Sequence, residues 1–224
     1  MCGRYSFVVE DALILERFGL RVHTAIYKAR YNCAPAQDLA VISSETPGEF
    51  RLMRWGLIPS WAKDPAIGSK LINARAETIA EKPSFKNAFR SRRCLVPATG
   101  FFEWKRNAHK TPYNIRLKSG DPFCFAGLWD QWTSGDGEII RTFTIITTSP
   151  NELMAEIHDR MPVILRREEE QRWIARGPGP SLSALLQPYP ASEMEAYPVS
   201  SRVNSPKNDG PEILEPAVDQ LPLL

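Results

Sequence analysis

Arg92-Arg93-Cys94-Leu95-Val96-Pro97-Ala98-Thr99-Gly100-Phe101-Phe102-Glu103-Trp104 holds two short apolar runs separated by the break from Pro97 to Gly100. Such runs on either side of a Pro/Gly interruption predict two strands meeting at a corner. The pattern repeats outward. Residues 4–9 alternate well enough for a strand, and further strands are predicted at 38–43, 50–55, 113–117, 123–129 and 139–147, with Gly135-Asp136-Gly137 as a turn. Helices are predicted at 10–19, closed by Gly19, from about Ser149-Pro150-Asn151-Glu152, at 168–176, stopped by Gly177, and at 181–186. Residues 31–35 read as turn-like, and the stretch between Trp55 and Asn73 as an irregular loop. Many short strands with few helices predict an α+β fold. The expectation is a single domain over residues 1–224, built around a curved, mainly antiparallel, barrel-like β-sheet with a few peripheral helices and a loose tail at 217–224.

The composition suits a globular chain: 224 residues, 43% hydrophobic and 24% charged. Lys+Arg 28 against Asp+Glu 26 gives a formal charge of +2, so any polyanion site has to be a local cluster. No apolar run spans a bilayer, and Arg4, Glu10 and Asp11 interrupt any signal-peptide core, so a cytosolic protein without membrane contact is expected. The cysteines Cys2, Cys33, Cys94 and Cys124 form no Cys-x-x-Cys pair, and neither a metal cluster nor a cofactor motif is legible. Cys94 and Cys124 read as core residues.

Four positions carry candidate chemistry. Removal of Met1 leaves Cys2 as a terminal 1,2-aminothiol, whose α-amine has a pKa of about 7.7–8.0 and is roughly a tenth neutral at pH 7. A neutral amine condenses with an aldehyde, and the adjacent thiol then closes a thiazolidine ring; the alternative is an incidental small residue at a frayed end. Asn73, Arg75 and Glu77 point one way if 72–78 is extended, as would the polar face of an edge strand. Glu103, among Phe101, Phe102 and Trp104, either has its pKa raised by burial and serves as acid and base, or points to water. His158, followed by Arg160, stands in a more informative setting than His23 or His109. Trp55 and Trp61 are packing anchors or stacking surfaces.

Met1-Cys2-Gly3-Arg4, Tyr31-Asn32 with Ala34-Pro35, Trp55-Gly56-Leu57-Ile58-Pro59-Ser60-Trp61, Ile72-Asn73-Ala74-Arg75-Ala76-Glu77-Thr78, Gly100-Phe101 with Glu103-Trp104, His158-Asp159-Arg160-Met161-Pro162, and Pro198-Val199-Ser200 with Val203-Asn204 together resemble the SRAP family. These are abasic-site-processing proteins, long labelled SOS response-associated peptidases. The resemblance implies that Cys2 captures the aldehyde of an abasic site in single-stranded DNA as a thiazolidine. Asn73 would orient the sugar or the amine, Glu103 would shuttle protons, and His158 would assist at the sugar hydroxyl. Arg4, Arg75 and Arg160 would hold phosphates, and Pro35, Trp61 and Trp104 would form apolar walls. No cofactor or metal is implied, and a monomer associating with the nucleoid through DNA is expected. Thr99 and Phe102 depart from the family, where an acidic residue and a tyrosine are common, and both lie close to Glu103 in the sequence.

Two other classes compete. One is a cysteine-dependent, self-processing peptidase using Cys2 and His158, although no orienting residue or oxyanion donor is assignable. The other is a non-catalytic single-strand-binding module that relies on the Arg and Trp positions alone.

Overall fold

The computed structural model describes residues 2–20, 27–105, 110–175, 177 and 182–217. The readings made of Met1, His23, His109 and the tail beyond Ala217 fall outside these residues. In chain order the strands are β1 (Tyr5–Phe7), β2 (Arg30–Cys33), β3 (Asp38–Ser43), β4 (Arg51–Trp55), β5 (Asn73–Arg75), β6 (Arg93–Ala98), β7 (Gly100–Trp104), β8 (Pro112–Leu117), β9 (Phe123–Thr133), β10 (Ile139–Thr148), β11 (Met161–Pro162), β12 (Ile164–Leu165) and β13 (Met194–Pro198). Four helices accompany them: α1 (Asp11–Phe18), α2 (Lys86–Ser91), α3 (Glu152–Ala155) and α4 (Arg167–Ile174).

β10 closes the larger sheet on itself. It runs antiparallel to β9 from Ile139↔Thr133 to Ile145↔Gly127, and parallel to β4 through Thr142↔Arg54 and Phe143↔Trp55. With β4–β3, β3–β6 and β6–β9 all antiparallel, these five strands form a closed barrel, as the curved-sheet expectation required. Closure brings neighbouring backbones very near at Gly127, where an added Cβ would stand 2.8 Å from Cys94 Sγ and 3.1 Å from Thr144 O. Residues of β9 and β10 are buried on consecutive positions because their outer faces are covered as well.

The second sheet is antiparallel, in the order β13-β8-β7-β1-β2. It leans on the barrel through aromatic edges: Tyr5 lies 5.4 Å from Trp55 and 5.9 Å from Phe125, and Phe101 lies 5.9 Å from Phe125, ring centre to ring centre. Period-2 alternation on β7 turns Phe102 the other way, into a small cluster with Val199, Val203 and Ile213. Phe102 thus adjoins Glu103 in the chain, as expected, while its side chain takes the opposite face of β7. Thr99 is occupied at the β6–β7 corner, where its Oγ1 donates to Ser6 O at 3.2 Å and accepts from Val8 N.

Four local expectations are corrected. Residues 30–33 form a strand, because β1 offers them a partner at Tyr5↔Cys33. The stretch at 55–73 contains a 3-10 helix at Pro65–Lys70, started by Asp64 Oδ1 accepting from Ala66 N at 2.8 Å. Residues 182–185 form a 3-10 helix rather than an α-helix. Ala217, placed in the loose tail, is fastened by its N–H to Pro198 O at 2.8 Å. Among the described residues no helix is long and apolar enough to cross a membrane.

Arg93 is fully buried and ties the barrel to two helices. Its Nε donates to Trp173 O at 2.6 Å, and Nη1 to Phe89 O and Arg90 O, both at 2.9 Å. Nη2 donates to Ala175 O and, at 3.0 Å, to Gly177 O. All these acceptors lie at or just beyond the C-terminal ends of α2 and α4, where carbonyls lack intrahelical partners and the helix dipole is negative. The cation is thus neutralised without a carboxylate. Arg93→Met should cost about 3–5 kcal/mol, since it strands several buried carbonyls, and Arg93→Lys should recover only part because one ammonium cannot reach both helix ends. Urea denaturation of the three proteins measures both differences.

Candidate active site at the chain's beginning

The site is built where the N-terminal strand runs inside the second sheet, between β7 and the edge strand β2. β1 pairs with β2 on one side and with β7 on the other, through Tyr5↔Phe101 and Ser6↔Gly100. Residues just before it are held rather than frayed. Arg4 O accepts the N–H of Phe102 at 3.0 Å, and Cys2 Sγ donates to the same carbonyl at 3.9 Å. Cys2 has no exposed surface. Burial drives its thiol well above the ordinary range, and the negative charge of Glu103 pushes the same way.

Glu103, on β7, is 3% exposed. Desolvation raises its pKa, and His158 pulls in the other direction without cancelling it. Of the two readings left open by the sequence, the buried one holds. Glu103 is therefore near enough to Cys2 for its charge to be felt there, and near enough to His158 to feel the charge of that ring.

His158 is positioned from two sides. Asn151 caps α3, its side chain accepting from Met154 N at 2.8 Å, and His158 N then donates to Met154 O at 2.7 Å. β11 follows immediately and pairs with β10 at Thr147↔Pro162. His158 Nδ1 lies 3.0 Å from Arg160 N and 2.9 Å from Asp159 Oδ1. A neutral ring accepts from the Arg160 N–H and carries its proton on Nε2, whereas a protonated ring donates to Asp159. An open depression of about 490 Å³ lies beside it, lined in part by Lys105, Pro150, Ile157 and Asp159.

Asn73 sits on β5, which runs parallel to β10 with Asn73 opposite Ile145. Its Nδ2 donates to Ile72 O at 3.0 Å and, weakly, to Ile145 O at 3.5 Å. Its Oδ1 is buried with no partner among the described residues. Asn73 is thus not hydrogen-bonded to Cys2 or Glu103, but it holds an unused acceptor.

The expected DNA-facing residues divide. Arg75 is exposed on β5. Glu77 is not aligned with it, because the chain leaves the strand for a 3-10 turn at Ala76–Thr78. Arg160 Nη1 and Nη2 donate to the two Glu77 carboxylate oxygens at 2.6 and 2.9 Å, and Nη2 also to Thr147 O at 2.7 Å. That pairing holds the Glu77 carboxyl below its usual range, and no role had been assigned to Glu77 from the sequence. Arg4 reaches Asn204 O at 3.2 Å, and Trp104 Nε1 reaches Asn204 Oδ1 at 2.7 Å. Pro35 opens a turn in which Gln37 N donates to Ala34 O at 3.3 Å, with Ala36 at φ 67 in the left-handed region that favours glycine. The two tryptophans part company: Trp55 is core, while Trp61 is 54% exposed. The Trp61 loop is nonetheless anchored, by Ser60 N to Asp130 Oδ2 at 3.1 Å and Trp132 Nε1 to Ala62 O at 2.7 Å. Gly56 enters that loop at φ +128 with Gly68 O 2.7 Å from where a Cβ would stand, so no side chain fits there.

Residues 1–206 match the family described as SOS response associated peptidase (SRAP). A Bacillus subtilis protein named "Abasic site processing protein YoqW" is 50% identical over 222 residues, covering 96% of this chain and 99% of that one. The Xenopus tropicalis "Abasic site processing protein HMCES" is 34% identical, over 84% of this chain and 66% of its own length. A crystal structure of a protein from Bacteroides thetaiotaomicron superimposes with a TM-score of 0.87 at 34% identity, covering 97% of this chain and 100% of the other. By sequence and by fold, the chain belongs to the SRAP family.

Proposed function

We propose that this protein processes abasic sites by capturing the ring-opened sugar aldehyde in single-stranded DNA on Cys2, once Met1 has been removed. The observation that carries the reading is the burial of Cys2 within reach of the Glu103 charge, with His158, itself within reach of Glu103, lining an open depression. The names of relatives at about half identity, abasic site processing proteins, agree with it.

The neutral Cys2 amine adds to the aldehyde carbon, and the protonated Glu103 carboxyl gives its proton to the departing hydroxyl, leaving water, an iminium and a carboxylate. The Cys2 sulfur then adds to the iminium carbon while its proton passes to Glu103. The electron pair returns to nitrogen, so one thiazolidine and one water are formed and Glu103 ends as it began. A thiol kept neutral by burial cannot attack unaided, which gives the carboxylate its second role. The same raised thiol counts against a peptidase reading, which needs a ready thiolate. Asn73 Oδ1, a buried acceptor without a partner, suits an amine or sugar hydroxyl. Phosphates would be held by Arg4 and Arg75, and by Arg160 where it shares its guanidinium with Glu77; Pro35, Trp61 and Trp104 would form the walls. Such a molecule acts as a monomer and needs no cofactor.

Incubation with single-stranded DNA containing an abasic site should yield a heat-stable adduct on denaturing gels. Cys2→Ala should give none, and an undiminished adduct would sink the proposal. Cys2→Ser keeps the amine and loses the thiol, so it should give only an imine that borohydride traps.

Glu103→Gln separates chemistry from folding. The adduct should form about 100-fold more slowly, a typical loss for a removed proton-transfer group. Stability should move the other way. The folded state holds the Glu103 proton more tightly than an unfolded chain, so wild-type stability declines as pH rises from the ordinary value of 4.5 through the raised one. Glutamine escapes that decline. The variant should therefore melt above wild type at pH 7.5, with the gap closing toward pH 4; calorimetry across that interval reads it.

A further inference from the structure

Two stretches singled out in the sequence, Tyr31-Asn32 and Val203-Asn204, have no part in the chemistry above, and in the fold they meet. Asn32 is buried on β2, and its Nδ2 donates to the carbonyls of Val203 and Ser205 at 3.1 Å each and of Asn208 at 2.9 Å. Asp209 fastens the same segment from the other side. Its Oδ1 accepts from Tyr31 N at 2.6 Å and Asn32 N at 2.8 Å, and its Oδ2 from Arg30 Nε at 2.5 Å. Val203 and Ile213 plug the apolar cluster around Phe102. The 3-10 turn Ser201–Asn204 is therefore fixed at its base, while Asn204 itself stands exposed.

From that position Asn204 holds two side chains that belong to other parts of the chain. Its Oδ1 accepts from Trp104 Nε1 at 2.7 Å, and its backbone oxygen accepts from Arg4 Nη2 at 3.2 Å. Arg4 also donates to Gly3 O at 3.2 Å, and its own carbonyl receives Phe102 N and Cys2 Sγ. We infer that Asn204 is a positioning residue of the DNA-facing rim, holding the Trp104 indole and the Arg4 guanidinium ready beside Cys2 so that single-stranded DNA meets a preformed wall. The inference rests on the function proposed above. Its physical basis is preorganisation: a long cation and a half-buried indole, left untied, would have to be ordered by the DNA at the cost of affinity.

The test follows cross-linking over a range of concentrations of abasic single-stranded DNA, at several salt concentrations. The proteins are wild type, Asn204→Ala, Trp104→Phe, the double variant and Arg4→Ala. Asn204→Ala should raise the half-saturating DNA concentration about 3- to 10-fold, as for one hydrogen bond, with the limiting rate and the salt dependence unchanged, because the carbonyl that holds Arg4 remains. Trp104→Phe keeps a ring but loses the N–H, and should give a similar rise that the double variant does not exceed. Arg4→Ala, by contrast, should flatten the slope of log affinity against log salt by about 0.7. An unchanged half-saturation in Asn204→Ala, or additive effects in the double variant, overturns the inference. So does a joint fall in melting temperature and salt slope, the mark of a loosened segment. If wild type forms no adduct, the proposed function fails instead, and equilibrium binding of the same DNA to the same variants decides the role of Asn204 separately.

Discussion

The structure depends on a three-residue strand, β1, having a neighbour on both sides. Chain ends ordinarily fray because their backbone groups find water as readily as partners. Here the pairing with β2 and β7 continues past the strand through Arg4, whose carbonyl is claimed by Phe102. Tyr5 adds its ring to the interface between the second sheet and the barrel. The position of Cys2 is thereby set by the packing of the whole molecule, and no flexible arm has to find the site.

That placement has an electrostatic cost which the fold accepts. Glu103 and Cys2 are both removed from water, and the charge of Glu103 further raises the proton affinity of the Cys2 thiol. A carboxyl held in this way is a better acid near neutrality than one in solvent and a less comfortable member of a core. Elsewhere the buried charges are fully served. Arg93 is surrounded by helix-end carbonyls, and Glu170 receives both terminal nitrogens of Arg17 at 2.6 and 2.9 Å. The contrast between satisfied ions that hold helices and strained groups that gather near the chain's start is what a local functional compromise within an otherwise consistent fold should look like.

Much of the fold could be read in the sequence because alternation and turn chemistry are local. The corner at Pro97 to Gly100, the strands at 38–43 and 113–117 and the helix ending at Gly19 all follow from neighbours a few residues away. What could not be read depends on partners distant in the chain. Residues 30–33 become a strand only because β1 is there, and barrel closure joins Trp55 to Phe143. The face on which Phe102 lies was not assigned, because nearness in sequence to Glu103 says little across a pleat. For the site, the aromatic flanks of Glu103 left burial and exposure equally open until the structure chose burial, and the division of labour between Trp55 and Trp61 was not legible either. Glu77 was placed on an extended face and found its partner in Arg160, a pairing that no spacing rule supplies.

The two-sided pairing of β1 also orders events in time. β7 lies almost a hundred residues downstream of β1, and the segment carrying Asn204 a further hundred. At synthesis rates of about 5–20 residues per second, the first strand waits roughly 5–20 s for its central neighbour. During that interval β1 has only β2 to pair with, and the side that β7 will cover lies open to solvent. Once translation supplies the missing neighbour, Cys2 is enclosed, and its thiol passes out of reach of solvent-borne oxidants and alkylating reagents that could meet it on the ribosome.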